Sequence, residues 1–441
     1  MKDYSWYKSY PEGIPREINP NEFDSLVNLL DKGLKEFADL PAFTNMGVII
    51  SFRQLDELSR DFAAYLQQKT NLKKGDRLAI QMPNLLQYPV VLLGTLRAGL
   101  TVVNVNPLYT PRELEHQLTD SGSRAIVVLA NFASNLAQIK DKTQLETVII
   151  TEIGDLFGGL KKVITNFVVK RIKKMVPAFH IPQSLNFNAV MKQGKALEFK
   201  QPQLTHDDVA FLQYTGGTTG VAKGAILTQK NIIANVLQAE ECFIGVNKGK
   251  DIVITALPLY HIFALTANCL LMILLGIKNV LITNPRDIPV FVKELNKYPF
   301  NIITGVNTLY NALLNNPEFR QLDFSSLRIS IGGGMAVQKY VADEWEKVTG
   351  CPLVEGYGLS ETAPLLCLNP LDGTHRNGTI GIPVCSTEIM IMDDSGNEVA
   401  LGERGEICAR GPQVMPGYWN KPEETKEVFF GEWFRTGDIG V

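Results

Sequence analysis

The segment at residues 214–225, YTGGTTGVAKGA, has the residue types and spacing that suit chemistry on an anionic ligand. Its glycines let the backbone approach an anion closely and adopt positive φ values. Its threonines supply hydroxyl groups for phosphate oxygens or Mg²⁺, and its lysine supplies a positive charge. These residues are Gly216, Gly217 and Gly220, Thr215, Thr218 and Thr219, and Lys223. The segment therefore predicts a loop that holds the phosphates of ATP.

Two alternatives bear on this loop. The Walker A motif, GxxxxGK[ST], needs glycine before the lysine and Ser or Thr after it, but Ala222 and Gly224 flank Lys223, which excludes that motif. A flexible connection between the apolar stretch 209–213 and a helix predicted at 231–237 would also be rich in glycine. Taken alone, the loop leaves the ligand-binding and connecting interpretations open.

Three further motifs follow in order, and together with the loop they carry a family resemblance. They are GGG at 332–334, EGYGLSET at 355–362 and RTGD at 435–438. The chain resembles the adenylate-forming superfamily, which contains acyl-CoA synthetases, luciferases and adenylation domains of peptide synthetases, over essentially its whole length. Within it, the chain is most similar to bacterial long-chain fatty-acyl-CoA synthetases, on segments 83–89, 103–111, 258–263 and 303–310.

The resemblance implies an α/β fold, namely an acyl-CoA synthetase-like large domain with two sheet-and-helix subdomains and a small β-barrel. We place these subdomains at 1–205, at 206–377 with the nucleotide motifs, and at 378–441. Short β-branched runs that alternate with helix-period segments indicate the same α/β class. The runs lie at 77–80, 101–104, 125–129, 147–150, 251–254, 280–282 and 302–304, with shorter strands and turns at 387–392 and 405–410.

The activity that the resemblance implies is ATP-dependent activation of long-chain fatty acids, first to an acyl-adenylate and then to acyl-CoA, for fatty acid uptake and degradation. ATP, Mg²⁺ and coenzyme A would be the cofactors. The first step joins two anions at phosphorus, so it needs positioning and positive charge more than a protein nucleophile. The catalytic candidates are Thr215, Lys223 and Glu361.

The resemblance also implies a role for each motif residue. The β- and γ-phosphate contacts are Thr215, Gly216, Gly217, Thr218, Thr219, Gly220 and Lys223. Thr215 and Glu361 are the Mg²⁺ candidates. The nucleotide pocket comprises Gly333, Gly334, Glu355, Gly356 and Gly358, with Tyr357 against adenine, Thr362 near the α-phosphate and Asp438 at the ribose. The acyl and carboxylate entrance comprises His261, Phe263, Val306 and Gly332.

Each of these roles has a simpler structural alternative. Without the surrounding motifs, Glu361 would be interpreted as a solvated loop acid, Asp438 as a turn residue and His261 as a core histidine with satisfied hydrogen bonds. Where some long-chain members have a tryptophan gate, two residues after Phe263, this chain has Leu265, so the resemblance does not carry the gate over.

The sequence ends at Val441, where the family continues into a smaller C-terminal domain that carries a catalytic lysine. We therefore expect the C-terminal lid domain to be absent from this chain. On that expectation, the 441-residue chain binds ATP and the acyl-adenylate but has impaired turnover.

Composition bounds these interpretations. With 441 residues, 45% of them hydrophobic, the chain can bury large cores, and its net charge of -3 argues against a nucleic-acid partner. Six dispersed cysteines without a CxxC pair suit buried apolar positions in a reducing cytosol. The apolar stretch 264–277 is too short for a membrane span and predicts a buried helix, and 88–105 predicts a helix followed by a strand.

The segment at 156–176 differs from its surroundings, because it combines an apolar helical face with six basic residues and no acidic one. The apolar residues are Leu156, Leu160, Val163, Ile164, Phe167, Val168, Ile172 and Met175, and the basic ones are Lys161, Lys162, Lys170, Arg171, Lys173 and Lys174. Such a pattern is typical of a helix in a membrane interface. It predicts a cytoplasmic protein held peripherally at the inner face of the membrane, with a helix packed on its own core as the alternative.

Two other functions share part of this pattern. A medium-chain or aryl acyl-CoA ligase or acyl-AMP ligase would have the same nucleotide motifs. A non-catalytic, membrane-associated protein that binds acyl chains or nucleotides would also explain the basic segment. The sequence does not fix the oligomeric state, and a homodimer is one alternative.

Overall fold

The computed structural model describes residues 4–215 and 221–441, and within them the strands form three sheets. The strands are β1 Pro41–Asn45, β2 Val48–Ser51, β3 Arg77–Gln81, β4 Thr101–Asn104, β5 Ala125–Leu129, β6 Thr147–Thr151, β7 Leu185–Asn186, β8 Val209–Thr215, β9 Lys223–Thr228, β10 Ile252–Thr255, β11 Lys278–Leu281, β12 Ile302–Gly305, β13 Ile329–Gly332, β14 Leu353–Gly358, β15 Leu365–Leu368, β16 Ile382–Pro383, β17 Glu388–Met392, β18 Gly405–Arg410, β19 Phe429–Phe430 and β20 Trp433–Gly440.

Helices cover both large sheets. They are α1 Leu26–Glu36, α2 Phe52–Lys69, α3 Gln87–Arg97, α4 Pro111–Asp120, α5 Ala133–Ala137, α6 Gly159–Phe167, α7 Phe187–Gly194, α8 Gln229–Cys242, α9 Ile262–Ala264, α10 Leu271–Leu274, α11 Ile288–Leu295, α12 Asn307–Leu314, α13 Lys339–Thr349 and α14 Pro422–Glu427. Stretches of π-helix follow α6 at Val168–Ile172 and join α9 to α10 at Leu265–Leu270.

The two large sheets are mostly parallel. The first has the order β7-β6-β5-β3-β4-β8-β9, and only β9 is antiparallel to its neighbour. The second has the order β16-β15-β14-β13-β12-β10-β11-β1-β2, in which β14 to β1 are parallel and the edge strands are antiparallel. Parallel strands are buried on both faces, which explains why β5, AIVVL, is continuously apolar and wholly buried.

The third sheet is antiparallel, with the order β17-β18-β20-β19, and it contains the short strands predicted after residue 378. The predicted α/β class is therefore confirmed. The boundary at 205 stays a prediction, and sheet membership does not follow it strictly. β1 and β2 belong to the second sheet, whereas β8 and β9 complete the first.

Buried helices join the two large sheets. Every residue of α3 is buried, and the Tyr88 hydroxyl lies 2.7 Å from both the Asn104 side chain on β4 and the Leu259 carbonyl beyond β10. The helix and strand predicted for 88–105 are thus confirmed. The predicted buried helix at 264–277 is observed as the helical run from α9 to α10. All six cysteines are buried and free, as expected for small apolar residues.

Sequence analysis missed several strands, and β9 is one that bears on the site. The segment KGAILT of β9 was assigned to the loop and the approach to a helix, but it pairs antiparallel with β8 over its whole length. Its alternation is weak, because Gly224 and Ala225 contribute no large apolar side chain. Pairing with β8 determines the strand, and local periodicity does not reveal it.

The contact at Gly33 shows how closely α1 packs against α10. A Cβ atom there would lie 2.1 Å from the carbonyl oxygen of Ile273 on α10. Alanine favours a helix over glycine by about 1 kcal/mol, but overpacking of a fitted interface costs about 1–3 kcal/mol and more for backbone contacts. We therefore expect Gly33→Ala to lower the Tm and the free energy of unfolding.

The matched control is Lys35→Ala on the exposed side of the same helix. Its effect should stay within about 0.5 kcal/mol. A Gly33→Ala variant as stable as the wild type in a denaturant titration would contradict the packing argument.

Candidate functional site

The carboxyl ends of the parallel strands in the second sheet carry most of the predicted site residues. β12 and β13 end at Gly305 and Gly332, and Val306 and the segment 333–334 follow them directly. The segment 258–263 follows β10, and β14 contains residues 355–358. Ligands of open α/β sheets bind at this edge, since the strands end together and their connections diverge there.

A cavity opens at this edge, and together with the open space at its mouth it encloses about 1530 Å³. Its walls come from the ends of β8, β13 and β14, from α8, from the helical run after His261, and from the segment around Glu361. The lining residues are Tyr214, Thr215, Asn235, Ala239, Phe243, His261, Ile262, Phe263, Thr266, Ala267, Ile331, Gly333, Gly334, Gly356, Tyr357, Gly358, Leu359, Ser360, Glu361, Pro364, Leu365 and Leu368. Phosphate, nucleotide and acyl candidates thus share one cavity.

The structure brings together most, but not all, of the predicted residues. Those that line the cavity are Thr215, His261, Phe263, Gly333, Gly334, Gly356, Tyr357, Gly358 and Glu361. Val306, Lys223 and Asp438 each lie beside a lining residue, namely Gly334, Thr215 and Tyr357, whereas Gly332, Glu355 and Thr362 are not among the lining residues. The predictions for Gly216, Gly217, Thr218, Thr219 and Gly220 fall outside the described residues.

Two glycines are needed for close approach at this wall. A Cβ on Gly333 would lie 3.0 Å from the Phe263 ring and 3.2 Å from the Gly356 carbonyl. A Cβ on Gly358 would lie 1.8 Å from the Pro364 carbonyl oxygen. No larger residue fits between these backbones without moving them, so both glycines keep the cavity wall thin at this edge.

Tyr357 and Asp438, 81 residues apart, meet at the rim. The Tyr357 hydroxyl donates a hydrogen bond of 2.7 Å to the Asp438 carboxylate. Burial, together with this hydrogen bond, raises the pKa of Tyr357 well above its usual value, so the phenol stays protonated. The contact fixes the exposed Asp438 against the residue that is predicted to lie beside adenine.

Glu355 and Thr362 act on the backbone around the cavity. The Glu355 carboxylate accepts hydrogen bonds from the backbone N–H groups of Val337 at 3.0 Å and Gly378 at 2.9 Å. The Thr362 hydroxyl is fully buried and engaged with the backbone of Leu359. Both side chains therefore shape the connections around the cavity, and contact of Thr362 with an α-phosphate stays a prediction.

Glu361 is the buried acid of the site. It is only 8% exposed, and one carboxylate oxygen accepts a 2.7 Å hydrogen bond from the Tyr418 hydroxyl. Within residues 4–215 and 221–441, no lysine or arginine forms an ion pair with it. A buried carboxylate is costly unless a cation or several donors compensate it. This donor set suits a divalent cation.

Tyr418 also contacts the predicted phosphate lysine. The Lys223 ammonium lies 4.8 Å from the centre of the Tyr418 ring, within the range of a cation–π contact. Backbone hydrogen bonds from Ile226 to Gly417 and from Trp419 to Gly224 hold this segment alongside β9. Burial and the nearby Glu361 carboxylate raise the pKa of Tyr418, so its hydroxyl remains a donor.

A second cavity, of about 850 Å³, adjoins the first at Glu361. Leu359 and Glu361 line both, and the second is also lined by Tyr418, Arg435 and Thr436. The motif at 435–438 therefore lies beside the buried carboxylate. This arrangement explains how a motif from the antiparallel sheet contributes to a site built mainly on the second sheet.

His261 has a defined protonation state. Its Nδ1 atom accepts a 3.3 Å hydrogen bond from the backbone N–H of Phe263, so the neutral ring carries its proton on Nε2. The side chain is accessible from the cavity but surrounded by protein, and this desolvation lowers the pKa of His261 below its usual value. The ring is therefore a neutral hydrogen-bond donor at pH 7.

Sequence reasoning missed several residues of the site. Tyr418 lies outside the motifs used for the prediction, although its GYW context marks a turn. Three cavity residues recur every four positions, namely Asn235 and Ala239 on α8 and Phe243 at its C-cap. This spacing places residues on one face of a helix. That periodicity was visible in the sequence, but it does not distinguish a cavity wall from an ordinary core face.

Comparison with known proteins agrees with the family resemblance of the sequence motifs. The AMP-binding enzyme family matches residues 30–419. The chain is 57% identical to a long-chain-fatty-acid–CoA ligase of Escherichia coli O157:H7 over 99% of its length and 78% of that protein. It is 36% identical to a long-chain-fatty-acid–CoA ligase of Bacillus subtilis over 99% of its length and 77% of that protein.

Two solved structures resemble the fold. A long-chain-fatty-acid-CoA ligase from Archaeoglobus fulgidus aligns with a TM-score of 0.82 and 25% identity, over 98% of this chain and 84% of that one. An anthranilate CoA ligase in complex with anthranoyl-AMP aligns with a TM-score of 0.83 and 22% identity, over 96% of this chain and 77% of that one.

The contact between Tyr418 and Glu361 leads to a prediction about metal dependence. Tyr418→Phe removes the hydroxyl but keeps the ring beside Lys223. Since loss of an outer hydrogen bond to a metal ligand typically costs 10–100-fold in affinity, we expect the Mg²⁺ concentration for half-maximal ATP binding to rise about tenfold. Calorimetric titration with ATP at a series of Mg²⁺ concentrations measures it.

Tyr298→Phe is the control, because the Tyr298 hydroxyl also donates to a carboxylate, that of Glu294 at 3.4 Å, and does not line the cavity. It should leave the Mg²⁺ dependence unchanged. An unchanged dependence in Tyr418→Phe as well would show that Tyr418 does not position Glu361 for a metal.

Proposed function

The chain belongs to the AMP-binding enzyme family, and we propose on that premise that it activates long-chain fatty acids with ATP, first as acyl-adenylates and then as CoA thioesters. The observation that carries this proposal is the shared cavity, which is lined by Thr215, Tyr357, Glu361 and His261. Relatives 57% and 36% identical over 99% of the chain are long-chain-fatty-acid–CoA ligases.

In the first step, a carboxylate oxygen of the fatty acid bonds to the α-phosphorus of ATP, and the bond to the β-phosphate oxygen breaks with loss of pyrophosphate. Attack by one anion on another needs positive charge and orientation. Lys223 supplies charge on the phosphate side, and the neutral His261 can donate a hydrogen bond to the carboxylate. Tyr357 and Asp438 hold the nucleoside by a ring face and a carboxylate that suits ribose hydroxyls.

Glu361, with Thr215 opposite it in the cavity, would hold Mg²⁺. Magnesium commonly binds proteins through one or two carboxylates together with substrate phosphates, so a site with one buried carboxylate fits it. In the described residues, no group of three or more His, Cys, Asp or Glu side chains could hold a metal by itself. When bound, Mg²⁺ would neutralise charge on the phosphates.

In the second step, the sulfur of coenzyme A bonds to the acyl carbon, the bond from that carbon to the phosphate oxygen breaks, and AMP leaves with its electron pair while the thiol proton passes to solvent. The chain's own contribution here is to retain the adenylate, through the Tyr357–Asp438 pair and the glycines of the cavity edge. The alternatives of a medium-chain or aryl ligase and of a non-catalytic binding protein are not favoured by the relatives.

Acyl-adenylate analogues provide the test of this function. We expect non-hydrolysable analogues to bind more tightly in the order acetyl, octanoyl, palmitoyl, since each buried methylene contributes up to about 0.8 kcal/mol. Calorimetric titration of the chain measures the series, with a benzoyl analogue to test the aryl alternative.

Asp438→Ala is the control for the nucleotide end, and it should weaken all analogues by a similar factor. Binding of benzoyl-adenylate in preference to palmitoyl-adenylate would favour an aryl ligase. Binding of none of the four would contradict the proposed function.

We also propose that the protein associates peripherally with the inner face of the cytoplasmic membrane. Residues 159–172 are helical, and their polar side faces the protein, where Asn166 bonds to the backbone of Gly154 and Lys162 lies 3.8 Å from Asp155. The apolar side faces solvent, with Leu160 73%, Phe167 57% and Ile172 65% exposed. A helix packed on its own core would have the opposite orientation.

The tip of the β1–β2 hairpin extends this apolar surface. Met46 and Ile49 are 43% and 52% exposed, and the Lys161 ammonium donates a 2.6 Å hydrogen bond to the Met46 carbonyl. We call this surface the basic apolar face; it comprises residues 46–49 and 160–175. Its basic side chains complement the negative charge of anionic lipids.

Among the helices of the described residues, none has the length and apolar character that crossing a membrane requires. The six unpaired, buried cysteines are compatible with the reducing cytoplasm. A homodimer stays a prediction.

Vesicle binding tests the basic apolar face. Each basic side chain near an anionic surface contributes about 1 kcal/mol, so replacing Lys170, Arg171, Lys173 and Lys174 by Gln should weaken binding to phosphatidylglycerol-containing vesicles by roughly two to three orders of magnitude at low salt. The double variant Ile164→Ser and Phe167→Ser should weaken vesicle binding at high salt as well as at low salt. Co-sedimentation measures both.

A variant with Lys297, Lys339, Lys347 and Lys426 replaced by Gln loses the same charge from other surfaces and should bind like the wild type. If the wild type and the 170–174 variant bind the vesicles equally, the membrane proposal is contradicted. That result would not bear on the ligase proposal.

A further inference from the structure

The cavity of the candidate site has an apolar part that the nucleotide motifs do not explain. Away from Glu361 and Tyr357, its wall is formed by α8 and by the helical run after His261. Asn235 and Ala239 contribute from one face of α8 and Phe243 from its C-cap, and eight residues of helix span about 12 Å. This wall is long enough to accompany much of an acyl chain.

The three residues differ in what they offer to a ligand. The Asn235 amide is fully used, since it donates to the Leu365 carbonyl at 2.9 Å and accepts from the Leu365 N–H at 3.0 Å. Ala239 is the smallest residue of the three and leaves space beside the helix. Phe243 closes the row, where its N–H bonds to the Ala239 carbonyl at 3.0 Å and caps the helix.

A separate, much smaller cavity, with room for about one water molecule, lies next to the end of this row. Leu368 lines both cavities, and Cys242, the residue before Phe243, lines the second. Phe243 and Leu368 therefore stand where the two cavities adjoin. A smaller side chain at 243 would let the first cavity extend towards the second.

We propose that Ala239 and Phe243 set the acyl chain length that this site accepts, with Ala239 keeping the channel open and Phe243 terminating it. The inference rests on the proposed function, because it assigns the apolar part of the same cavity to the acyl chain. It makes opposite predictions for two positions one helical turn apart. A residue with a purely structural role would not move chain-length preference in opposite directions.

The test uses the intact chain and non-hydrolysable acyl-adenylate analogues with octanoyl, palmitoyl and eicosanoyl chains. Each methylene that loses its burial should weaken binding roughly threefold to fourfold. Ala239→Leu should therefore weaken palmitoyl binding by about tenfold or more while octanoyl binding changes by less than about twofold. Phe243→Ala should strengthen eicosanoyl binding relative to palmitoyl binding.

Glu240→Leu is the matched control, because it adds the same side chain at the next position of α8, which does not line the cavity. It should leave the chain-length series unchanged. The Tm of each variant checks folding, and Ala239→Val, which adds less volume, replaces Ala239→Leu if that variant is unfolded.

The outcomes separate this inference from the proposed function. If wild type binds the analogues but neither variant changes the ratio of palmitoyl to octanoyl or of eicosanoyl to palmitoyl affinity, the α8 wall does not set chain length. If wild type binds none of them, the proposed function itself fails.

Discussion

The site depends on the buried amide side chains of α8. Asn231 donates to the carbonyls of Pro412 and Val414, Asn235 exchanges hydrogen bonds with the backbone of Leu365, and Gln238 donates to the carbonyl of Cys385. Buried amides left without partners would each cost about 1–3 kcal/mol, so these contacts strongly favour a single arrangement. Through them, one helix holds the segments that carry Glu361, Tyr418 and the start of the antiparallel sheet.

This arrangement explains how distant parts of the sequence meet around one carboxylate. The backbone carbonyl of Glu361 accepts a hydrogen bond from the N–H of Met415, and its side chain accepts one from Tyr418. Tyr418 in turn lies beside β9 and Lys223. Any shift of the segment 412–419 would therefore move the donor to Glu361 and the neighbour of Lys223 together. This shared contact keeps the Glu361 carboxylate and the Lys223 ammonium in fixed positions relative to the cavity.

The sequence predicted the α/β class and about half of the strands, because parallel strands leave strong local patterns, whereas the candidate residues of the nucleotide edge came from the family resemblance. It could not predict that the Thr362 hydroxyl bonds to the backbone of Leu359, since that contact depends on the conformation of the segment between β14 and β15. Tyr418 and the α8 wall were missed for a related reason. Their roles arise from tertiary contacts, and an i, i+4 row of residues on a helix has the same appearance in a core as at a cavity.

The helical run after His261 connects the reactive end of the cavity to its apolar wall. His261 and Phe263 lie at its start, and Thr266 and Ala267 line the cavity one turn later. The intervening π-helical stretch, Leu265–Leu270, widens the turn, and the Thr266 hydroxyl bonds to the Ala363 carbonyl at 2.8 Å. Such π-helical turns inside helices are frequently found at functional sites. Since the same run is joined to the segment beside Glu361, the entrance, the acyl wall and the buried carboxylate form one connected frame.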